Sequence, residues 1–280
     1  MEKAIKRYFP IFLLPTLAAF IIGFVVPFIE GVYLSFCNFK TVTDATWVGV
    51  KNYAMVWGDA VFVHSFWYTA AFAAVSLVVI NVLAFAVALL LTRGFRGTNA
   101  FRTVFFMPNL IGGIVLGYVW QLMLNGVLAI FERTLTYSSA YGFWGLMLLM
   151  CWQQVGYMMI IYIAGLQTIP GELIESAQID GASKWQVLRR IKIPMVMPSI
   201  TICTFLTLTN SFKLFDQNLS LTAGEPAKMS ELLALNIYQT FYGRTGWEGV
   251  GQAKAVIFFI LVAGLALLQL RLTRTKEVQQ

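Results

Sequence analysis

The chain has 280 residues, of which 59% are hydrophobic and only 12% carry a charge. A soluble globular domain carries about 25% charged residues, so this composition excludes an ordinary soluble enzyme and indicates a membrane protein. The net charge is +7, from 20 basic and 13 acidic residues. Because the basic residues cluster beside apolar segments, we interpret this charge as a membrane-topology signal and expect no binding to nucleic acid.

Apolar segments long enough to cross a bilayer recur along the chain. A transmembrane helix needs about 20 apolar residues, because backbone polar groups in lipid must be satisfied within the segment. Six segments approach this length, and their predicted boundaries are 9–36, 66–92, 104–124, 142–165, 195–215 and 253–270. Pro10, Pro15 and Pro27 predict an irregular first helix, and Pro108 predicts a kink in the third. The predicted fold class is all-α, a polytopic membrane protein with six transmembrane helices.

The positions of the cations predict the orientation of these helices. An N-terminus in the cytoplasm places the following basic residues on the cytoplasmic side: Lys3, Lys6, Arg7, Arg93, Arg96, Arg102, Lys184, Arg189, Arg190, Lys192, Arg271, Arg274 and Lys276. Six spans then leave both termini in the cytoplasm, as the positive-inside rule favours. We predict a first helix with its outer loop over residues 1–65 and a core of five helices over residues 66–280.

Common motifs for catalysis and nucleotide binding do not occur in the sequence. It contains no G-x-x-x-x-G-K-[ST] phosphate loop, no H-E-x-x-H and no G-x-S-x-G. The three cysteines, Cys37, Cys151 and Cys203, have no paired spacing. We therefore predict no catalytic residue and no metal site, and we expect another chain to supply any energy for transport.

A polar block interrupts the apolar second half of the chain, within the longest predicted cytoplasmic loop at about 166–198. The segment IPGELIESAQIDGA predicts a short helix and a turn, for which Gly181 is suited because it lacks a Cβ. The segment SKWQVLRRIKI predicts a second helix, with Ser183 as its N-cap and Pro194 as the next break. From these residues alone, an amphipathic surface helix held by anionic lipid stays open as an interpretation.

The order of residues in this block resembles the EAA loop of ABC importer permeases. That pattern is E-A-A, three residues, G, nine residues and I-x-L-P, and the matching residues are Glu175, Ser176, Ala177, Gly181, Ile191, Ile193 and Pro194. Ser176 replaces the first alanine of the pattern, and Ile193 replaces its leucine. The resemblance implies the type I ABC importer permease fold.

A second segment carries the resemblance to the carbohydrate subfamily of these permeases. FKLFDQNLSLTAGEP, residues 212–226, is similar to the segment after the fifth span, where L-T-x-G-G-P is usual. Glu225 stands where the second glycine is expected, which puts the shape of this loop in doubt. The segment 236–262 is also similar to the last outer loop and sixth helix of that subfamily.

The resemblance implies a coupling role for the loop. In such importers the short helix of the loop docks in a cleft of a cytoplasmic ATPase, so that closure of two ATPase copies moves two membrane subunits. Gly181 would form the bend, Asp180 would cap or pin it, and Ala182 would allow close approach to the partner. The residues implied to couple to the ATPase are Glu175, Ser176, Ala177, Asp180, Gly181 and Ala182.

Partners and location follow from the same resemblance. It implies a second homologous permease, two copies of a cytoplasmic ABC ATPase, an extracytoplasmic substrate-binding protein and a sugar substrate. ATP and Mg²⁺ would be used by the ATPase, and no cofactor would be bound by this chain. The implied location is the cytoplasmic membrane of a bacterium.

Polar residues inside the predicted spans are candidate contacts for a substrate, since polar groups at mid-membrane are costly unless they face a cavity or a partner. Aromatic rings suit the apolar faces of sugars, and amides and hydroxyls suit their OH groups. Packing between helices through small polar residues is an equally open interpretation. In related sugar permeases the pocket lies between the fourth and fifth spans, and the candidates there are Trp152, Gln153, Tyr157, Thr204, Thr207, Asn210 and Ser211.

The predicted function is the transmembrane subunit of an ATP-driven ABC importer, forming half of the pathway for a sugar or oligosaccharide delivered by an extracytoplasmic binding protein. One alternative is the same machinery carrying glycerol phosphate or a polyol, and a basic pocket would favour the phosphate ester. Another is a self-sufficient secondary transporter, which would need an ionisable coupling group at mid-membrane.

Overall fold

The structure, a computed structural model, describes residues 2–94 and 96–274. Parts of the orientation prediction lie outside what is described, namely Lys276 and the side chains of Lys3, Lys6, Arg7 and Arg274. The side chain of Pro10, used to predict an irregular first helix, also lies outside it. The described chain is almost entirely helical, with two-residue strands β1 (Cys37–Asn38) and β2 (Thr46–Trp47) in one antiparallel pair. The predicted all-α fold class is therefore confirmed.

The described helices, in chain order, are α1 (Glu2–Phe20), α2 (Val26–Leu34), α3 (Lys51–Gly58), α4 (Ala60–Leu91), α5 (Thr98–Phe106), α6 (Gly113–Ala129), α7 (Ser139–Gln167), α8 (Gly171–Ile179), α9 (Lys184–Val187), α10 (Ile193–Met195), α11 (Met197–Phe212), α12 (Asp216–Leu221), α13 (Leu233–Gly243) and α14 (Glu248–Arg274). Two π-helical turns join helices directly, at Ile21–Val25 and Leu188–Lys192. Short 3-10 turns lie at Val42–Asp44, Met107–Leu110 and Leu135–Tyr137.

Helices of membrane-spanning length occur at most of the predicted places. Four stretches of the described chain are long and apolar enough to cross a bilayer: Leu13–Leu34, Ala60–Leu91, Ser139–Gln167 and Glu248–Leu272. Two further candidates are helix pairs bent at a short break: Thr98–Leu110 with Gly113–Ala129, and Lys184–Met195 with Met197–Phe212. Counting each bent pair as one span gives six, in agreement with the sequence.

The third predicted span, 104–124, is wrong as a continuous helix. The chain turns by 102° between the 3-10 turn at Met107–Leu110 and α6. Pro108 has no N–H to extend a helical ladder, and Ile111 and Gly112 adopt extended backbone conformations before α6 begins. The proline therefore marks a sharp break between two helices and not a kink within one.

The break predicted at Pro194 lies two residues later, because the helix continues to Met195 and the chain bends by 71° at Val196. The π-helical turn Leu188–Lys192 explains this continuity. A proline ring in an α-helix clashes with the carbonyl four residues earlier, here that of Arg190. The wider π turn, in which the Ile193 N–H donates to the Leu188 oxygen, gives the ring room. A π turn also precedes Pro27 in the first span.

The described residues pack into two compact units, 1–60 with 237–260 and 61–236 with the residues from 261 onward. In the second unit α7 lies at the centre, and 67% of the residues in its most apolar stretch are buried. Its buried side chains include Leu146, Met150, Met158 and Tyr162. A helix apolar around its whole circumference is expected at such a position.

In the first unit a buried cation fixes α14 to the residues before α4. Lys254 is 0% exposed, and its Nζ lies 2.8 Å from Asp59 Oδ2 and 2.7 Å from the Thr240 hydroxyl. Arg244 Nη1 lies 3.1 Å from the same carboxylate oxygen. A buried charge is tolerated only with such partners, and this cluster was not predicted from the sequence.

Candidate functional site

The polar block folds as two short helical segments joined by a tight turn. α8 follows Pro170, whose φ of −58° suits a helix start, and Glu172 lies in its first turn, where the helix dipole favours a carboxylate. The second segment runs from Lys184 to Met195. We call residues 171–195 the elbow.

Gly181 forms the turn of the elbow. Its φ is +79°, a left-handed conformation that residues with a Cβ resist. The Gly181 N–H donates to the Gln178 oxygen at 3.1 Å, and the Ala182 N–H donates to the Ala177 oxygen at 2.9 Å. These two bonds are those of a Schellman motif, the common helix ending at a glycine. The carboxylate of Asp180 takes no part in them, so its pinning role stays a prediction.

Ser183 caps the second segment, as the sequence predicts. The Gln186 N–H donates to Ser183 Oγ at 3.3 Å, and the Ser183 N–H donates to Gln186 Oε1 at 2.7 Å. This reciprocal pair is a capping box, which satisfies two donors that would otherwise be free at a helix start. Both arms of the elbow therefore have a defined end at the turn, and the angle between them is fixed by local hydrogen bonds.

The outer surface of the elbow is exposed and partly apolar. Ile179, the last residue of α8, is 86% exposed. Two of the predicted coupling residues, Ala177 and Ala182, are partly covered. The other four are exposed: Glu175, Ser176, Asp180 and Gly181. A large apolar side chain left this exposed beside charged residues is typical of a surface that a partner protein covers.

Amide side chains join α7 to its neighbours. Gln153 Oε1 accepts a hydrogen bond from Gln217 Nε2 at 2.8 Å, and Gln153 Nε2 donates to the Ile111 oxygen at 3.3 Å. Gln154 Oε1 accepts from Asn210 Nδ2 at 3.1 Å. Both glutamines are less than a tenth exposed. Such amides in a membrane protein need partners, and here they link α7 with α11, α12 and the break before α6.

Aromatic rings lie on either side of these amides along α7. Trp152, 44% exposed, makes an edge contact with Trp120 of α6, with ring centroids 5.7 Å apart. Tyr157 is partly exposed and lies 6.4 Å from the Phe106 ring. Rings and amides together offer apolar faces and hydrogen-bonding groups, the combination that suits a polyhydroxylated ligand.

The hydroxyls predicted to share one face of the fifth span have different surroundings. Thr207 and Ser211 are 0% exposed; Thr207 Oγ1 accepts from Asn81 Nδ2 at 3.2 Å, and Ser211 Oγ donates to the Thr207 oxygen at 2.7 Å. Thr204 Oγ1 instead accepts from Gln269 Nε2 at 2.7 Å. Helix packing accounts for these contacts. Their part in a substrate pathway stays a prediction.

The structure thus brings some of the predicted pathway residues together and separates others. Two neighbours were not predicted: Gln217 lies beyond the fifth predicted span, and Trp120 gave no signal within an apolar segment rich in aromatic residues. A pair of adjacent amides, Gln217 and Asn218, just past the end of a span was the available cue for Gln217. We call the following set the amide–aromatic cluster: Trp120, Trp152, Gln153, Gln154, Tyr157, Asn210 and Gln217.

Known proteins resemble this chain over almost its whole length. Residues 87–276 match the family described as binding-protein-dependent transport system inner membrane component. The chain is 42% identical over 277 residues to the probable starch degradation products transport system permease protein AmyD of Thermoanaerobacterium thermosulfurigenes, covering 96% of this chain and 94% of that protein. It is 28% identical to the multiple sugar-binding transport system permease protein MsmF of Streptococcus mutans, with 99% of each chain covered.

A solved structure also has the same fold. A chain in the crystal structure of a bacterial alginate ABC transporter, in complex with an alginate pentasaccharide-bound periplasmic protein, superposes with a TM-score of 0.82 at 19% identity. The match covers 98% of this chain and 97% of that one. At this identity the likeness supports the shared architecture alone.

Proposed function

Because this chain belongs to the family of binding-protein-dependent transport system inner membrane components, the permease subunits of ABC importers, we propose that it forms half of the pathway for a sugar or oligosaccharide. The family works with a binding protein that delivers the substrate, and ATP is hydrolysed by a separate chain. The remaining assembly in our proposal is a second, related permease and two copies of a cytoplasmic ATPase, in the cytoplasmic membrane of a bacterium.

The observation that carries this proposal is the elbow. Its turn is closed by local hydrogen bonds at Gly181, and its surface presents Ile179 almost fully exposed. An exposed apolar side chain on a rigid support is suited to docking in a cleft of a partner. The second arm of the elbow leads directly into α11, since only Val196 separates them. A push on the elbow would therefore be transmitted to α11.

The proposed substrate class is supported by the amide–aromatic cluster. Its hydrogen-bonding groups are neutral amides and a phenol, and none of its members is charged. Neutral donors and acceptors beside aromatic rings suit a sugar better than a phosphate ester, which would call for cations. Relatives named for starch degradation products and for multiple sugars support the same class. ATP and Mg²⁺ belong, in this proposal, to the ATPase subunits.

Reconstitution in vesicles tests the proposal. We expect uptake of a labelled malto-oligosaccharide only when this chain, its partner permease, the ATPase, the binding protein and ATP are all present. Labelled glycerol phosphate, in the same vesicles, should not accumulate. Uptake by this chain alone would contradict the proposal and favour a secondary transporter, and uptake of glycerol phosphate without the saccharide would contradict the substrate class.

A further inference from the structure

A cavity of about 910 Å³ lies between the elbow and the end of α4. Three basic side chains line it: Arg93, just beyond α4, and Lys184 and Lys192, on the second arm of the elbow. No carboxylate is among its lining residues. Neither of the ion pairs of Asp59 involves these three cations. The lining of the cavity therefore carries a net positive charge.

The remaining wall of the cavity is largely apolar. Leu89, Ile174 and Trp185 contribute to it, and Trp185 is 65% exposed. The cavity thus combines an apolar wall with a cationic rim. A small soluble anion would contact only the cationic rim, whereas an amphiphile with an anionic headgroup would contact both the rim and the apolar wall.

The position of the cavity along the chain places it at the end of two candidate spans. Leu89 lies in the last turn of the apolar helix α4 and Thr92 directly follows that helix, and Lys192 lies four residues before Val196, where the chain bends into α11. Tryptophan is enriched at membrane–water interfaces, and Trp185 fits that level. These residues also lie on the side that the positive-inside rule predicts to be cytoplasmic, where anionic lipids attract basic segments.

We propose that this cavity binds the headgroup of an anionic phospholipid, with its phosphate between Arg93, Lys184 and Lys192 and the start of an acyl chain along Leu89 and Trp185. Such a lipid bridges the end of α4 and the elbow, because its phosphate meets cations from both. The assignment concerns a lipid partner and does not depend on which substrate is carried. It also goes beyond general attraction of a basic surface to a membrane, since it assigns one cavity with defined lining residues.

Native mass spectrometry of the full chain, delipidated in detergent, tests this site. Phosphatidylglycerol should bind about tenfold more tightly than phosphatidylcholine, since each cation near an anionic headgroup adds about fivefold and desolvation offsets part of this. The triple variant Arg93→Gln, Lys184→Gln, Lys192→Gln should lose that preference. The matched control is Arg189→Gln with Arg190→Gln, which removes two exposed cations of the same arm that do not line the cavity. It should keep the preference.

Charge-retaining variants separate lipid binding from folding. Lys184→Arg with Lys192→Arg should bind phosphatidylglycerol as the unaltered chain does, because both cations stay in place. Equal binding of the two lipids to the unaltered chain would overturn the proposal. An equal loss of the preference for phosphatidylglycerol in the triple variant and in the control would also overturn it. Displacement of the lipid by millimolar inorganic phosphate would assign the site to a soluble anion. Displacement by an added ATPase subunit would assign it to a protein interface, and either result contradicts a lipid site.

Discussion

Gly181 shows how one residue sets the geometry of the elbow. A Cβ at this position would meet nothing within 4 Å, so the requirement for glycine comes from its φ of +79° and not from crowding. A residue with a Cβ pays about 1–2 kcal/mol to adopt this conformation. A β-branched side chain resists it most, whereas asparagine adopts it comparatively easily.

We therefore expect Gly181→Val to uncouple ATP hydrolysis from transport. The strained turn should open or rotate, so that the assembled transporter continues to hydrolyse ATP while substrate uptake falls by about tenfold. A tenfold loss corresponds to about 1.4 kcal/mol of lost coupling free energy. The measurement is the ratio of uptake to ATP hydrolysed in vesicles. Gly181→Asn is the matched control and should keep most of the coupling. Normal coupling in the valine variant would remove the role assigned to this turn.

The buried pair of Lys254 and Asp59 supports a second prediction at this scale. Lys254→Met leaves the Asp59 carboxylate, 7% exposed, with Arg244 as its remaining cation. Removing one partner of a buried pair costs about 3 kcal/mol, so the melting temperature of the purified chain should fall by several degrees. The double variant Asp59→Asn, Lys254→Met should lose less than the sum of the two single variants. Additive losses would show that the pair is not coupled.

Local hydrogen-bonding rules were enough to predict single residues whose role depends on near neighbours in sequence. Ser183 and Gly181 act through residues within five positions of themselves, and their types indicate a cap and a turn. Lys254 and Gln217 depend on partners far away in sequence, Asp59 and Gln153. Since no local pattern encodes such a partner, the buried ion pair and two members of the amide–aromatic cluster, Trp120 and Gln217, could not be predicted.

Among helices, proline has different effects that its sequence position alone does not distinguish. The helical segment continues past both Pro108 and Pro194 and bends a few residues later, by 102° and by 71°. A π turn precedes Pro194, whereas Pro108 lies in a 3-10 turn. The sequence therefore predicted an irregularity near each proline but not its form. The spans themselves were predicted well where the apolar run is unbroken, as in α4 and α7.

The packing of α5 on α7 yields a prediction for Gly156. A Cβ at this position would overlap the carbonyl oxygen of Phe105, and a backbone atom cannot move aside as a side chain can. We expect Gly156→Ala to destabilise the folded chain by about 2 kcal/mol or more, measured as a lower melting temperature in detergent. The matched control is Gly264→Ala in α14, where a Cβ meets nothing within 4 Å, and it should be neutral or slightly stabilising. Equal effects would contradict the close approach.

Gln153 of α7 and Thr207 of α11 represent two kinds of polar residue, a candidate substrate contact and a helix-packing group. Gln153→Ala should raise the substrate concentration for half-maximal uptake by about fivefold to tenfold, because one hydrogen bond to a sugar is worth about 1 kcal/mol. Thr207→Val, which removes the acceptor for Asn81, should lower the melting temperature and leave that concentration unchanged. For each variant we would measure uptake as a function of saccharide concentration and record a melting curve. The reverse pattern would place the substrate against α11 instead.

At the scale of the whole molecule, each compact unit combines segments that are far apart in the sequence. The first compact unit combines residues 1–60 with 237–260, although the intervening 176 residues form another unit. Composition and span counting treat the sequence in order and contain no information about which distant segments pack together. The family and its six-span architecture were nevertheless predictable, since apolar length and the E-S-A motif with Gly181 are encoded locally.

The proposed force transfer from an ATPase subunit to the elbow can be tested by photo-crosslinking. A photo-crosslinking amino acid is placed at position 179, where Ile179 is 86% exposed, in the assembled transporter. The matched control places it at Val78, which is 62% exposed on the apolar helix α4. Position 179 should capture the ATPase subunit, and position 78 should not. Failure to capture the ATPase from position 179, in an assembly that still transports, would contradict it.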